Sequence, residues 1–182
     1  AEFIAHAKAN PGQITFGSSG NYGTMHVPME QLKAATSSYM LHVPYTGAGP
    51  AILGMLSGQV DAVATGPASA VGQIKAGKLR ALAHWGEGRL ALLPDVPSFK
   101  ELGVPISYSQ WSGIFVPAGT PPEVVAKLRE AARAATRDER TIQVMTNAGT
   151  SFQFQDAPEF DRFVKDDAGT MLKVVKQIGR VN

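Results

Sequence analysis

The feature that most constrains the fold is a repeated order of short apolar segment, glycine-containing loop and segment with helical spacing. The apolar segments are "QITFGSS", "YMLHVPY" and "VDAVATG". After the first loop, apolar residues recur at steps of three and four, as on one face of a helix: Met25, Met29, Leu32 and Ala35. This alternation predicts an α/β fold with a mainly parallel sheet and flanking helices. A further apolar segment, "LRALAHW", predicts a fourth strand.

The last third of the sequence has a different pattern. "SQWSGIFVPAGTPP" predicts a strand followed by a helix start, and "SFQFQ" predicts another short strand. Helical spacing predicts an amphipathic helix over Pro121–Thr136, a second helix ending at Gly149 and a long helix from Ala157. Short strands and several helices of this kind do not enclose a core by themselves, so this part must pack on something else. We place the boundary between the two parts near Pro105–Gln110.

Two local signals mark helix starts. Pro28 fits the helix that follows the first loop only in its first turn, where a missing N–H removes no hydrogen bond. Thr120 is predicted to cap the later helix, with Pro121 at the first helical position and Glu123 three residues on, as in a capping box.

Charge and cysteine content exclude several classes of function. The formal net charge is +2 and no run of Lys or Arg is present, so no basic face for nucleic acid is predicted. The absence of cysteine excludes disulfides, thiolate metal sites and a cysteine nucleophile. No cofactor is predicted, and no apolar run approaches the length of a membrane span. Because the sequence begins with Ala1 rather than Met and at once has a helical pattern, we expect that an upstream segment has been removed.

The glycine-containing loops are the best candidates for a binding site, because ligands of parallel α/β sheets bind beyond the carboxyl ends of the strands. The first loop carries small polar residues just before a helix: Ser18, Ser19, Gly20, Asn21 and Thr24. The second carries Tyr45, Thr46 and Gly47 before the next helix. Backbone N–H groups at helix starts bind carboxylate or phosphate. The alternative is that the glycines only turn the chain between strand and helix.

The sequence gives less support to a catalytic serine, a nucleotide-binding phosphate loop or a metal site. Gly17-Ser18-Ser19-Gly20 lacks the G-x-S-x-G spacing of a nucleophile elbow, and no Gly-Lys-Ser/Thr of a phosphate loop follows it. The four histidines show no motif partner, and no metal-ligand spacing is present. Asp61, alone at a strand start, is expected to cap a turn or lie at the surface. Trp111 is expected either to line a cleft or to lie in a core, where its N–H would need a partner.

Several collinear stretches together resemble one family. They are "FGSSGNYGTMH", "HVPYTGAGPAILGMLSGQVD", "IKAGKLRALA", "LPDVPSFKELG" and "WSGIFVPAGTPPEVVAKL". The sequence resembles the substrate-binding receptors of tripartite tricarboxylate transporters, the TctC/Bug extracytoplasmic solute receptors. The resemblance implies a two-domain, Venus-flytrap fold like that of periplasmic binding proteins, of which this chain matches the carboxyl-terminal three-fifths. Residues 1–107 would be the complete second domain. Residues 108–182 would be the crossover strand and helical part of an incomplete first domain.

The resemblance also implies a set of ligand-binding residues. These are Ser18, Ser19, Gly20, Asn21, Thr24, His26, Tyr45, Thr46, Gly47, Thr65, Ser69 and Trp111. In the third loop, "ATGPASA", this chain departs from the acidic or amide residue that many members carry. Thr65 and Ser69 can form hydrogen bonds but cannot pair with a ligand ammonium group. A plain carboxylate is therefore favoured over an acidic amino acid.

The implied function is binding without catalysis. A periplasmic receptor would capture a small organic carboxylate, such as a di- or tricarboxylate, and pass it to the membrane subunits of a tripartite transporter. The alternatives are a ligand-sensing domain of a regulator with a related fold and a serine hydrolase that uses Ser18 or Ser19. Because part of a sheet is expected to be missing, we also expect a homodimer formed by exchange of elements between two copies, or a poorly soluble monomer.

Overall fold

The computed structural model describes residues 1–147 and 153–179. It divides into two units, one formed by Ala1–Ser109 with the chain from Met171 onward, the other by Gln110–Thr170. The elements of the first unit before residue 109 are α1 (Glu2–Ala9), β1 (Thr15–Ser18), α2 (His26–Thr36), β2 (Leu41–Pro44), α3 (Ala48–Leu56), β3 (Ala62–Val63) and α4 (Pro67–Lys75). The later helices are α5 (Pro122–Ala135), α6 (Glu139–Asn147) and α7 (Ala157–Ile178).

The described strands form one parallel sheet, which confirms the predicted fold class. Their order is β2-β1-β3, so the first strand of the sequence is the central one. Ser18 at the end of β1 is in register with Pro44 at the end of β2, and Gly17 is in register with Val63 at the end of β3. Because parallel strands share one direction, the loops that follow all three strands lie at the same edge of the sheet.

The core of the first unit is built around β1 and α2. Phe16 and Met40 are fully buried, and Leu32 of α2 is 2% exposed. The indole of Trp85 packs on this cluster, and its Nε1–H donates to the carbonyl oxygen of Pro28 over 3.2 Å. Pro28 is the third residue of α2, so it lies in the first turn, as its chemistry predicts.

Asp61 lies at the opposite end of the sheet from the loops. Its carboxylate accepts hydrogen bonds from the backbone N–H and the hydroxyl of Thr15, both over 2.8 Å. These bonds favour the charged form and lower the pKa of the Asp61 carboxyl. Since Thr15 begins β1, Asp61 fastens the start of the third strand to the start of the first and has a structural role.

The predicted fourth strand does not form as a strand. Of the segment 79–85, only His84 makes a bridge, a single parallel one with Ser98. The His84 N–H donates to the carbonyl of Pro97, and the Phe99 N–H donates to the carbonyl of His84. Pro97 has no N–H to donate, so the ladder cannot extend on that side.

Two predicted features near the start of the second unit are wrong. Residues 109–118 form no strand, because no described segment pairs with them. The predicted capping box of α5 does not form either. The helix follows Pro121 without a side-chain cap, and the Thr120 hydroxyl donates instead to the carbonyl of Pro117 over 2.8 Å.

The later helices agree better with the sequence. The predicted strand "SFQFQ" lies partly outside the described residues, and its described part, Gln153–Gln155, is not a strand. The predicted end of α6 at Gly149 also lies outside the described residues. The long helix α7 is confirmed. It begins after Asp156, whose carboxylate accepts the Ala157 N–H and pairs with Arg129 of α5, each over 2.8 Å.

Candidate functional site

Three loops meet at the carboxyl edge of the sheet, and we call them together the loop edge: residues 18–25, 44–48 and 64–69. None of these residues is Asp, Glu, Lys or Arg. The first two loops touch. Gly20 has a φ of +137°, which favours glycine, and a Cβ built there would lie 3.6 Å from the carbonyl oxygen of Tyr45. The loop edge is therefore a surface without charged side chains, at which the first two loops lie in contact.

The helices that start at the loop edge lack side-chain caps. No side chain caps the N-terminus of α2, α3 or α4. At the start of α3, the backbone N–H groups of Thr46, Gly47 and Ala48 have no hydrogen-bond partner within the described ranges. Free N–H groups at the positive end of a helix dipole attract an anion. The second loop can therefore bind a carboxylate through its backbone.

The third loop adds an unsatisfied hydroxyl. The Oγ1 atom of Thr65, which follows β3, is buried and has no hydrogen-bond partner in the part of the chain described. A buried hydroxyl without a partner costs free energy, which a ligand oxygen would recover. Ser69 lies exposed in the first turn of α4. Of the two residues predicted to bind ligand in this loop, Thr65 is the one with a buried hydroxyl that lacks a hydrogen-bond partner.

The hydroxyl of Ser18, at the start of the first loop, already has hydrogen-bond partners within the protein. Ser18 is fully buried, and its Oγ lies 2.7 Å from His42 Nε2. The same oxygen accepts the Gly20 N–H over 3.3 Å and donates to the Gly20 carbonyl over 3.2 Å. Ser18 therefore holds the loop rather than offering a free hydroxyl. The groups left for a ligand are those of Ser19, which is half-buried, and of the exposed Asn21 and Thr24.

Tyr45 connects the first two loops to α3. Its N–H donates to the carbonyl of Ser18 over 2.9 Å. Its ring lies against Gly17 and Gly54, and its hydroxyl donates to Gln59 Oε1 over 3.2 Å. The backbone of Tyr45 thus positions the second loop, while its side chain packs on the helix that follows.

Two histidines lie stacked beneath the first loop. The rings of His26 and His42 are 3.8 Å apart between centroids and inclined by 10°. The Tyr22 N–H donates to His26 Nδ1 over 2.9 Å, and His26 Nε2 lies 3.5 Å from Glu30 Oε1. Burial lowers the pKa of His26, and burial together with the charges of His26 and Lys33 lowers the pKa of His42 to about 4. Both rings are neutral at pH 7 and add no charge to the loop edge.

Comparison with known proteins gives the family. A model of the tripartite tricarboxylate transporter family receptor, TctC, matches residues 1–180. The chain belongs to this receptor family. It is 34% identical over 178 residues to the UPF0065 protein of the gbd 5' region of Cupriavidus necator, covering 98% of this chain and 54% of that protein. The chain thus spans about half the length of the curated relatives it matches.

Two solved structures agree with the observed fold. A structure described as a periplasmic transporter is 36% identical, with a TM-score of 0.87 over 98% of this chain and 60% of that one. A Rhodopseudomonas palustris protein solved with adipate is 25% identical, with a TM-score of 0.86 and the same two coverages, 98% and 60%. The family resemblance drawn from the sequence motifs is confirmed.

Trp111 lies in the second unit. Its Nε1–H donates to Asp167 Oδ2 over 3.0 Å. Its ring meets Phe160 and Phe163 edge to face, at centroid distances of 5.4 and 5.7 Å. The Trp111 side chain is 36% exposed rather than enclosed in a core, and a role of Trp111 in ligand binding stays a prediction.

The pair Ser18–His42 has the spacing of a nucleophile and its base, which the sequence did not reveal. Two features oppose that chemistry. The Ser18 side chain is inaccessible to solvent, and His42 Nδ1 is buried without a partner, so no third group orients the ring within the described residues. No group of three or more His, Cys, Asp or Glu side chains is placed to hold a metal among the described residues. The arrangement fits a structural role for the pair.

A groove of about 440 Å3 lies on the exposed side of α2, lined by Gln31, Ala35 and Ile106 among others, and includes none of the predicted binding residues. Within residues 1–147 and 153–179, no helix combines the length and apolar character that crossing a bilayer requires.

Proposed function

We propose that this chain carries the carboxylate-binding loops of a periplasmic solute receptor, which delivers a small organic acid to the membrane subunits of a tripartite transporter. One observation carries the proposal. At a single edge of a parallel sheet, uncapped helix starts and the buried hydroxyl of Thr65 lack the partners that a carboxylate supplies. Residues 1–107 would form the receptor's second domain, and residues 108–182 would belong to its first.

The chemistry of the loop edge favours a plain acid. Neutral N–H groups and helix dipoles stabilise a negative oxygen without an arginine or lysine. Nothing at the loop edge carries a negative charge, so an ammonium group would lose its water without gaining an ion pair. Since the related R. palustris protein was solved with adipate, a dicarboxylate is the ligand class we propose for this chain.

The proposed mechanism involves no covalent step. One carboxylate of the acid binds the N–H groups of the second loop, and the Thr65 hydroxyl, which follows the strand on the other side of β1, binds another oxygen of the acid. In a two-domain receptor, a ligand that binds both domains shifts the population from open to closed. The closed form is then the one that the transporter subunits recognise.

The proposal predicts selective stabilisation by dicarboxylates. Thermal unfolding of the chain would be followed with C4 to C6 dicarboxylates, citrate, nicotinate, aromatic acids and acidic amino acids. A ligand at about 100 times its dissociation constant raises the free energy of unfolding by about 2.7 kcal/mol. Stabilisation by one chemical class of acid supports the receptor. If no acid stabilises this chain, and none stabilises a chain extended upstream of Ala1, the receptor proposal is contradicted.

The variant Thr65→Val sharpens this experiment. It removes one ligand partner, so we expect the affinity for the stabilising acid to fall about tenfold. Because the hydroxyl has no partner without ligand, the free energy of unfolding should stay the same or rise. Thr170→Val, on an exposed position of α7, is the matched control and should leave affinity unchanged. Equal affinity of Thr65→Val and wild type would argue against this site.

The exposed surface of the second unit supports a proposal on assembly. Ile114, Phe115 and Val144 are 70, 67 and 60% exposed, and no described residue of Gln110–Thr170 is fully buried. We expect this chain to form a homodimer by exchange of elements or to be poorly soluble. Light scattering measures the mass directly, and a stable, soluble monomer would contradict the expectation.

The two alternative functions have their own readouts. A regulator would have a helix-turn-helix encoded upstream of Ala1, whereas a receptor would have a leader and the rest of its first domain. A hydrolase would turn over simple esters and lose that activity in Ser19→Ala. The buried Ser18 hydroxyl gives no reason to expect turnover.

A further inference from the structure

The first loop is fastened at two points by the stacked histidines. At its start, the Ser18 Oγ lies 2.7 Å from His42 Nε2. In its middle, the Tyr22 N–H donates to His26 Nδ1 over 2.9 Å. The two rings lie in contact at 3.8 Å, so the stack determines how far apart the two fastening points are. Between them lie Ser19, Gly20 and Asn21, which are among the predicted ligand-binding residues.

The hydrogen bonds also determine which ring nitrogen carries the proton. His26 Nδ1 accepts a backbone N–H, so the proton of the neutral ring is on Nε2, toward Glu30. His42 Nδ1 is buried without a partner. A proton there would leave a buried N–H without an acceptor, which costs more than an unused lone pair. The His42 proton is therefore on Nε2, which donates to Ser18 Oγ and leaves the serine proton for the Gly20 carbonyl.

The surroundings hold the stack in place. Phe16 of β1 stacks on the His42 ring at 4.9 Å between centroids, with an inclination of 27°. On α2, Glu30 and Lys33 form an ion pair of 2.7 Å beside the rings, and Lys33 also lies 5.8 Å from the Phe16 ring centroid. Packing and hydrogen bonds together leave each imidazole one orientation.

We propose that His26 and His42 are positioning residues for ligand binding. Through their stacked rings they hold Ser18 and Tyr22 at a fixed spacing, so that the loop between them is preorganised for the carboxylate. Preorganisation raises affinity because the loop need not be ordered when the acid binds. The inference rests on the proposed function, since it assigns the histidines to the same site.

Paired Asn and Gln variants test the two hydrogen bonds separately from ring packing. Asn places its side-chain oxygen where a histidine has Nδ1, and Gln places its amide N–H where a histidine has Nε2. His26→Asn therefore keeps the acceptor for Tyr22, whereas His26→Gln loses it. At position 42 the order is reversed: His42→Gln keeps the donor to Ser18, whereas His42→Asn loses it. All four variants lose the ring, so a role in packing alone predicts no such reversal.

The first readout needs no ligand. Amide hydrogen exchange of Tyr22 should be about tenfold faster in His26→Gln than in His26→Asn. Exchange of Gly20 should be about tenfold faster in His42→Asn than in His42→Gln. The amide of Leu32, in the core of the same unit, serves as the control for global unfolding. Equal loop exchange within each Asn/Gln pair, corrected for global stability, would overturn the inference.

The second readout is the dissociation constant for adipate. We expect it to rise about tenfold in His26→Gln and His42→Asn relative to the paired variants. If wild type, also extended upstream of Ala1, binds none of the acids of the panel but the exchange pattern appears, the loop is fastened as inferred and the proposed function has failed. If adipate binds equally within each pair, the receptor proposal stands and the positioning role is overturned.

Discussion

Replacing Gly54 by Ala is expected to lower the free energy of unfolding by about 2–3 kcal/mol. A Cβ at Gly54 would lie 2.3 Å from the Tyr45 hydroxyl oxygen and 2.6 Å from Cζ of the same ring. On its other side the ring lies close to Gly17, where a built Cβ would be 3.1 Å from its Cε2. The methyl group must therefore displace the tyrosine, its bond to Gln59 and the packing of α3.

A matched variant separates this clash from the general effect of adding a methyl group to a helix. Gly72 lies in α4 and a Cβ there would meet nothing within 4 Å, so Gly72→Ala should raise the free energy of unfolding by about 0.5–1 kcal/mol. Urea denaturation measures both variants. In a Tyr45→Ala background the cost of Gly54→Ala should disappear, because the clashing ring is gone. If Gly54→Ala lowered the free energy of unfolding equally in both backgrounds, contact with the Tyr45 ring would not be the cause.

The same tyrosine links this stability prediction to the binding site. Its N–H holds the carbonyl of Ser18, and the next residues, Thr46 and Gly47, offer free N–H groups to a ligand. Displacing the ring therefore also moves the start of α3. Glycine at position 54 is required by the close approach of a side chain from the loop edge and not by its backbone conformation.

The parallel sheet and the position of its loops could be predicted because they depend on local patterns. Apolar strands alternating with helices allow few arrangements, and glycine loops after them must gather at one edge. Family motifs covering most of the chain led to the same fold. Two predicted strands are wrong for a common reason: a short apolar run becomes a strand only beside a pairing partner. Pro97 interrupts the partner of residues 79–85, and no described segment pairs with residues 109–118.

The role of His42 could not be predicted from the sequence. The sequence does not say that β2 lies beside β1, and only this order brings His42 into register with Phe16. Side chains two residues apart on a strand share a face, so Ser18 then lies on the same face as Phe16 and within reach of His42. Local reasoning instead treated Ser18 as a free hydroxyl. The sequence does contain a signal, since Phe16 and Ser18 are two residues apart and therefore share a face of β1. It points to a contact with His42 only once the strand order is known.

Acid is expected to destabilise the chain between about pH 6.5 and pH 4 through the buried histidine stack. Burial, followed by the charges of His26 and Lys33, lowers the pKa of His42 from 6.5 to about 4, and burial lowers the pKa of His26. In this range the unfolded chain binds protons that the folded chain does not, so the free energy of unfolding falls as the pH falls. The difference for His42 is worth at most about 3 kcal/mol, and we expect about 2 kcal/mol because water reaches part of the ring.

Urea unfolding from pH 7.5 to 4 measures this dependence, and His42→Gln isolates it. The Gln variant keeps the bond to Ser18 but cannot be protonated, so its stability should fall less with acid than that of the wild type. Asp61 also has a lowered pKa and its contribution is lost as the pH falls below 4, which is why the comparison stops there. Parallel profiles for wild type and His42→Gln would mean that the His42 ring accepts its proton in the folded chain as readily as in the unfolded one.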